Sequence, residues 1–256
     1  MMPAVRSDLE VHAGPAQLAI AAAEHFIAAA TAAVRATGRF AVALSGGSTP
    51  GPLFATLAAA AYASRVPWPD VDVFWGDERC VAPDDIESNY GMARELLLAR
   101  VPVPEANVHR IRGEDDPPAA AARYERDLRG AFGTPSGPPL GTPGKRFDLV
   151  LLGLGANGHT ASLFPHLQAV RERTKWVMAE RMGVQDQWRI TLTPPILNQA
   201  AEILFLVSGR EKAAALRRVL CDARDTDELP AQSIAPEAGS VRWLVDAAAA
   251  AELPSP

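Results

Sequence analysis

Short apolar runs recur along the chain, separated by alanine-rich stretches with helical spacing. Phe40–Leu44 and Val71–Trp75 read as buried strands, and Phe147–Leu152 as a third. Ile203–Val207 is apolar without a break, as expected of a central parallel strand. Arg189–Thr193 alternates and suits a strand, and Val241–Val245 reads as the last. One helix is predicted to begin near Thr49-Pro50, with threonine as N-cap and proline at the first helical position. Others are predicted from Ser88 to Leu98, from Ala119 to Leu128, and through Lys212 to Leu220. Strands that alternate with helices imply an α/β fold: a single domain, residues 1–256, with a mostly parallel, Rossmann-like sheet wrapped by helices.

Two stretches need separate treatment. Pro15–Val34 is rich in alanine, but Glu24 and His25 interrupt it and Asp8 and Glu10 precede it. It is read as an amphipathic surface helix and not as a leader or a membrane span. Residues 133–146 are dense in proline and glycine, and a surface loop is expected there.

The formal net charge of -5 argues against a general nucleic-acid binder, which needs a basic surface. It leaves room for a small anion held by a few local cations. Cys80 and Cys221 are the two cysteines, and neither lies in a CxxC pair. A reducing, cytoplasmic setting is therefore expected. No metal site and no cofactor are expected, since no ligand set has the spacing for one.

Parallel sheets collect ligands beyond the carboxyl ends of their strands. Polar, glycine-rich clusters follow the predicted strands ending at Leu44, Trp75 and Leu152, so three loops are expected to converge on one edge. The first is Ser45-Gly46-Gly47-Ser48-Thr49, an anion cradle by its free backbone N–H groups at a helix start. The plainer alternative is a tight turn. A third reading makes Ser45 the nucleophile of a G-x-S-x-G-like elbow. The second cluster is Asp77-Glu78-Arg79, followed by Ser88-Asn89-Tyr90. Here a site in which Arg79 stabilises negative charge competes with a solvated loop bearing a local ion pair.

The third cluster runs from Gly153 to Pro165. Its opening matches G-x-G-x-x-G, but Pro165 comes too soon for the long helix a dinucleotide would require. What remains is His159 in a glycine-rich loop at a strand's end, suited to proton transfer. His12, His25, His109 and His166 have no such setting. Arg189 and Lys212 are two further cations. Lys212 opposes a helix dipole unless an anion sits there, or else it is an ordinary surface lysine.

These blocks together resemble the 6-phosphogluconolactonases, relatives of the glucosamine-6-phosphate deaminases. The resemblance rests on Leu44–Pro50, Gly76–Arg79 with Ser88-Asn89-Tyr90, and Gly153–Pro165. It continues in Arg189–Thr193, Leu197-Asn198 and Val207–Lys212. It implies hydrolysis of 6-phospho-D-glucono-1,5-lactone in the oxidative pentose phosphate pathway. It implies His159 as general base, with Asp77 and Arg79 in the active site. Ser45, Gly46, Gly47, Ser48, Thr49, Arg189 and Lys212 would serve the phosphate, with Asn157 and Gly158 also at the substrate. The family often carries aspartate where this chain has Asn157, so no carboxylate raises the basicity of His159 from that position. A deaminase would need further acid/base carboxylates, and Thr160–Pro165 fits the lactonase pattern better. A serine esterase using Ser45 and a non-catalytic phosphosugar-binding regulator are the other readings.

Overall fold

The computed structural model describes residues 8–133, 143, 145–183 and 187–254. Nine strands lie among them: β1 (Leu9–His12), β2 (Phe40–Leu44), β3 (Val71–Trp75), β4 (Asp77–Arg79), β5 (Leu149–Gly153), β6 (Val177–Met182), β7 (Gln187–Leu192), β8 (Glu202–Val207) and β9 (Ser240–Asp246). The longer helices are α1 (Pro15–Thr37), α2 (Pro50–Ala58), α4 (Asn89–Leu96), α5 (Pro117–Phe132) and α8 (Ala213–Cys221). Single-turn helices are α3 (Ala60–Ala63), α6 (Gln168–Arg171) and α7 (Pro194–Leu197). Most of the expected loop at 133–146 lies outside the described residues.

Six strands form one parallel sheet in the order β1-β9-β8-β5-β2-β3. Every residue of β2 is buried, as helices on both faces of a parallel sheet require. The chain leaves β2 toward β3 on one side and returns to β5 on the other. The loops after β2 and β5 therefore diverge, and a crevice opens between them at the strand ends. This is the physical reason for the position of the site.

The helices cover the sheet with aromatic and aliphatic side chains. Phe26 of α1 meets Phe40 edge-on at 5.3 Å, and Phe205 stacks on Trp243 at 3.9 Å. Tyr124 of α5 is fully buried and exchanges two hydrogen bonds of 2.9 Å with the backbone of Trp75. That fixes the end of β3 just before Gly76 turns the chain into Asp77. Helix α1 is long and apolar enough to cross a membrane by length and composition alone. Here it buries Leu18, Ala22, Ala23, Phe26, Ile27 and Ala30, while Glu24 pairs with Arg65 and His25 with Glu202.

The structure departs from the predicted pattern in several places. The third strand begins at Leu149, not Phe147. Arg189–Leu192 falls in a strand, with Thr193 just beyond it, but β7 belongs to a separate antiparallel sheet, β4-β7-β6. Pro50 does open α2, yet the Thr49 side chain makes no capping bond, because its backbone is already helical. Helix α4 begins at Asn89 with Ser88 as its N-cap and stops at Leu96, short of Leu98.

Candidate active site

The crevice is lined by three loops and one lysine. Ser45–Thr49 follows β2, Gly153–Gly155 and His159–Ala161 follow β5, Asp77, Arg79 and Asn89 come from the region after β3, and Lys212 closes the remaining side. Larger hollows of about 560, 540 and 390 Å³ are present among the described residues, the first of them sharing Arg79 with the crevice, and no histidine lines any of the three. Chemistry, not size, therefore selects the smaller one.

The turn after β2 needs its glycines for different reasons. Gly47 has a φ of +90°, a conformation that side chains disfavour. At Gly46 space decides, since an added Cβ would fall 1.7 Å from Asn89 Oδ1. Ser45 is buried, and its hydroxyl donates to the Gly46 carbonyl at 3.3 Å.

Strand β4 sorts its three residues by the alternation of a strand. Glu78 faces away from the crevice toward α4. Its carboxylate accepts from the backbone N–H groups of Arg79, Asn89 and Tyr90 at 2.7–2.8 Å, and from Ser88 Oγ at 3.2 Å. The Asn89 and Tyr90 N–H groups are donors that a helix start leaves unsatisfied, so Glu78 anchors α4. Asp77 faces the crevice and is also buried. It accepts from Ser162 Oγ at 2.7 Å and from Asn89 Nδ2 at 3.3 Å. The alternative of a solvated loop is thus set aside for both carboxylates. Burial raises the Asp77 pKa, and the Ser162 bond, Arg79 and Arg189 oppose that rise.

The His159 loop is close-packed. Gly155 N–H donates to the His159 carbonyl at 2.8 Å. A Cβ at Gly155 would lie 2.0 Å from the imidazole, so only glycine leaves the ring its place. Phe164 stacks on the other side at 4.1 Å. Asn157 Oδ1 meets the backbone N–H of His159 at 3.2 Å and Nδ1 at 2.6 Å. The backbone N–H can only donate, so the Asn157 atom is the oxygen, and Nδ1 must carry the ring proton. Nε2 keeps its lone pair. The other described histidines each pair with a carboxylate outside this crevice.

Burial, then the charges of Lys212, Arg189 and Arg79, push the His159 pKa down to about 4. The ring is therefore neutral near pH 7 and can act as a base. Its titration followed by NMR, with His159→Asn to assign the signal, is expected to fall near 4. Inorganic phosphate bound beside Lys212 should move it upward, since a nearby anion favours the imidazolium. A titration at the ordinary ~6.5 without phosphate would contradict this environment.

Lys212 ends a short turn, Arg210–Lys212, ahead of α8. Asp246, at the end of β9, fastens that turn by accepting from Ser208 Oγ at 2.6 Å and from Gly209 N at 3.2 Å. Asp246 also accepts from Ala249 N at 2.7 Å, but its bonds to the lysine turn reach 37 and 38 residues back and leave no local sequence signal. Arg189 stands opposite Arg79 in the antiparallel ladder. It does not line the crevice, although Lys212 does. The Nε atoms of both arginines are buried without a partner. Asn157 and Gly158 do not line the crevice; Asn157 is exposed, and Gly158 shapes the turn with a φ of +84°. Among the described residues, no three His, Cys, Asp or Glu side chains are grouped to hold a metal ion.

Fold and site together define an α/β protein with a strand-end crevice lined by a glycine turn, a lysine and a neutral histidine. A family model described as glucosamine-6-phosphate isomerases/6-phosphogluconolactonase matches residues 13–243. The chain belongs to this family and stands with its 6-phosphogluconolactonases. A relative of that name from Nostoc is 43% identical over 225 residues, covering 86% of this chain and 88% of the relative. The human one is 39% identical, covering 98% and 92%. Among solved structures, the 6-phosphogluconolactonase from Trypanosoma cruzi aligns with a TM-score of 0.84 at 30% identity, covering 97% of each chain. A monomeric glucosamine-6-phosphate deaminase shares the fold, with a TM-score of 0.77 at 20% identity, covering 96% of this chain and 99% of the deaminase.

Proposed function

We propose that this chain hydrolyses 6-phospho-D-glucono-1,5-lactone to 6-phospho-D-gluconate, as the names of its relatives suggest, in the oxidative pentose phosphate pathway. The carrying observation is the tautomer of His159. Asn157 holds Nδ1–H, so Nε2 is the free base, in the same crevice as the glycine turn and Lys212.

In this reading the phosphate docks against the Ser45–Thr49 turn and Lys212. His159 Nε2 takes a proton from water while the water oxygen bonds to the lactone carbonyl carbon. Arg79 and backbone N–H groups stabilise the oxyanion, the contribution expected to be largest. Collapse breaks the bond to the ring oxygen, which receives the proton back from His159. Asn157 orients the imidazole as an aspartate would but adds no negative charge. The base is therefore weak, and a lactone, which also opens slowly unaided, asks less of it than harder hydrolyses would. In this reading the protein works in the cytoplasm, with the apolar face of α1 packed within the protein.

The direct test is hydrolysis of freshly generated 6-phosphogluconolactone, followed by proton release and corrected for the spontaneous rate. No excess over that rate would end the proposal.

A serine esterase needs its nucleophile within reach of a base. Ser45 Oγ donates to its neighbour's carbonyl instead. Ser45→Ala is therefore expected to raise KM and leave kcat little changed. An acyl group found on Ser45 by mass spectrometry would reverse that assignment.

A further inference from the structure

Asn89 is 2% exposed, yet it lines the crevice. It touches both halves of the site. On one side its Nδ2 donates to the Asp77 carbonyl at 2.9 Å and reaches the Asp77 carboxylate at 3.3 Å. The bond to the carbonyl identifies that atom as nitrogen. On the other side, the whole amide lies flat against Gly46. A Cβ there would meet Oδ1, Cγ and Nδ2 at 1.7, 2.1 and 2.6 Å. The residue is itself held, since its backbone N–H donates to Glu78 Oε1 at 2.7 Å. Glu78 anchors α4, α4 presents Asn89, and Asn89 spans the gap between the glycine turn and Asp77.

We propose that Asn89 is a positioning residue that fixes the phosphate turn at a set distance from Asp77 and the reacting end of the crevice. The proposal rests on the lactonase reading above. Its consequence is specific. A phosphate held in a turn of fixed distance brings the lactone ring to one place relative to His159 and Arg79. Without the Asn89 amide, phosphate still binds, but less firmly, and it no longer places the ring. An unphosphorylated lactone never uses that placement.

The experiment compares Asn89→Ala and Asn89→Asp with the unmodified chain on phosphorylated and unphosphorylated glucono-1,5-lactone, with Tm measured for each. Asn89→Asp keeps the shape against Gly46 but removes the donor and sets a second carboxylate beside Asp77. Both variants are expected to lose about tenfold or more in kcat on the phosphorylated lactone, as when an interaction realised in the transition state is removed. Their kcat on the unphosphorylated lactone should fall by a clearly smaller factor, so that the ratio of the two kcat values drops. Inorganic phosphate, measured by calorimetry, should bind less tightly to Asn89→Ala. A loss shared equally by both substrates would mean a merely structural role and would overturn the proposal, as would an unchanged kcat on the phosphorylated one. Absence of turnover by the unmodified chain would instead refute the lactonase reading, and the phosphate-binding comparison would still decide whether Asn89 supports the turn.

Discussion

His159→Asn is expected to lower kcat on 6-phosphogluconolactone by about 10²–10⁴-fold, with little change in KM. That range corresponds to roughly 3–5 kcal/mol of lost transition-state stabilisation. The asparagine cannot take the proton that Nε2 is placed to receive. The Ser45–Thr49 turn and Lys212, proposed to hold the phosphate, lie on other loops of the crevice and are untouched by the substitution. Steady-state kinetics by proton release, with Tm as a check on folding, decides the matter. Near-normal kcat in a folded variant would show that water is activated by another group.

Lys212→Ala is expected to erase most of the preference for the phosphorylated over the unphosphorylated lactone. A charge-assisted hydrogen bond contributes about 1.5–3 kcal/mol. At about 1.4 kcal/mol per tenfold, the ratio of kcat/KM values should fall by roughly ten- to a hundredfold. The measurement is a ratio within one variant, so general damage to the fold lowers both substrates together. Arg189→Ala is expected to cost less of that preference, because Arg189 sits beside Arg79 and not in the crevice lining. Its charge holds the His159 pKa down, and its removal should let that pKa rise. If Lys212→Ala kept the full preference, the phosphate must dock elsewhere and the substrate orientation proposed here would be wrong.

Much of the site was legible because its chemistry is carried by contiguous residues. The Ser45–Thr49 turn and the loop from Gly153 to His159 each follow a strand directly, and strand direction alone puts them on one edge. The small residues at Gly46, Gly47, Gly155 and Gly158 mark the close approaches and left-handed turns that the structure contains. Asp77 and Glu78 were harder. Adjacent carboxylates look solvated in a linear reading, and most of their donors are not neighbours in sequence: 10–12 residues away for Glu78, and 12 and 85 residues away for Asp77.

The short strand β4 and its partners β7 and β6 were not read as a sheet. Three residues are too few to show a period, and antiparallel pairing between segments more than a hundred residues apart leaves no local trace. Periodicity by itself determined the parallel α/β layout, and the glycine-rich loops after the strands pointed to a strand-end crevice with His159 as its candidate histidine, since burial of apolar runs and the needs of a glycine turn are local properties. Tertiary structure alone decided which nitrogen of His159 is free, that Glu78 anchors a helix while Asp77 faces the crevice, that Lys212 and not Arg189 lines it, and that Asn89 joins its two halves. Each of these depends on a hydrogen bond or a close contact made across folded loops, and such contacts exist only once the sheet has brought the loops together.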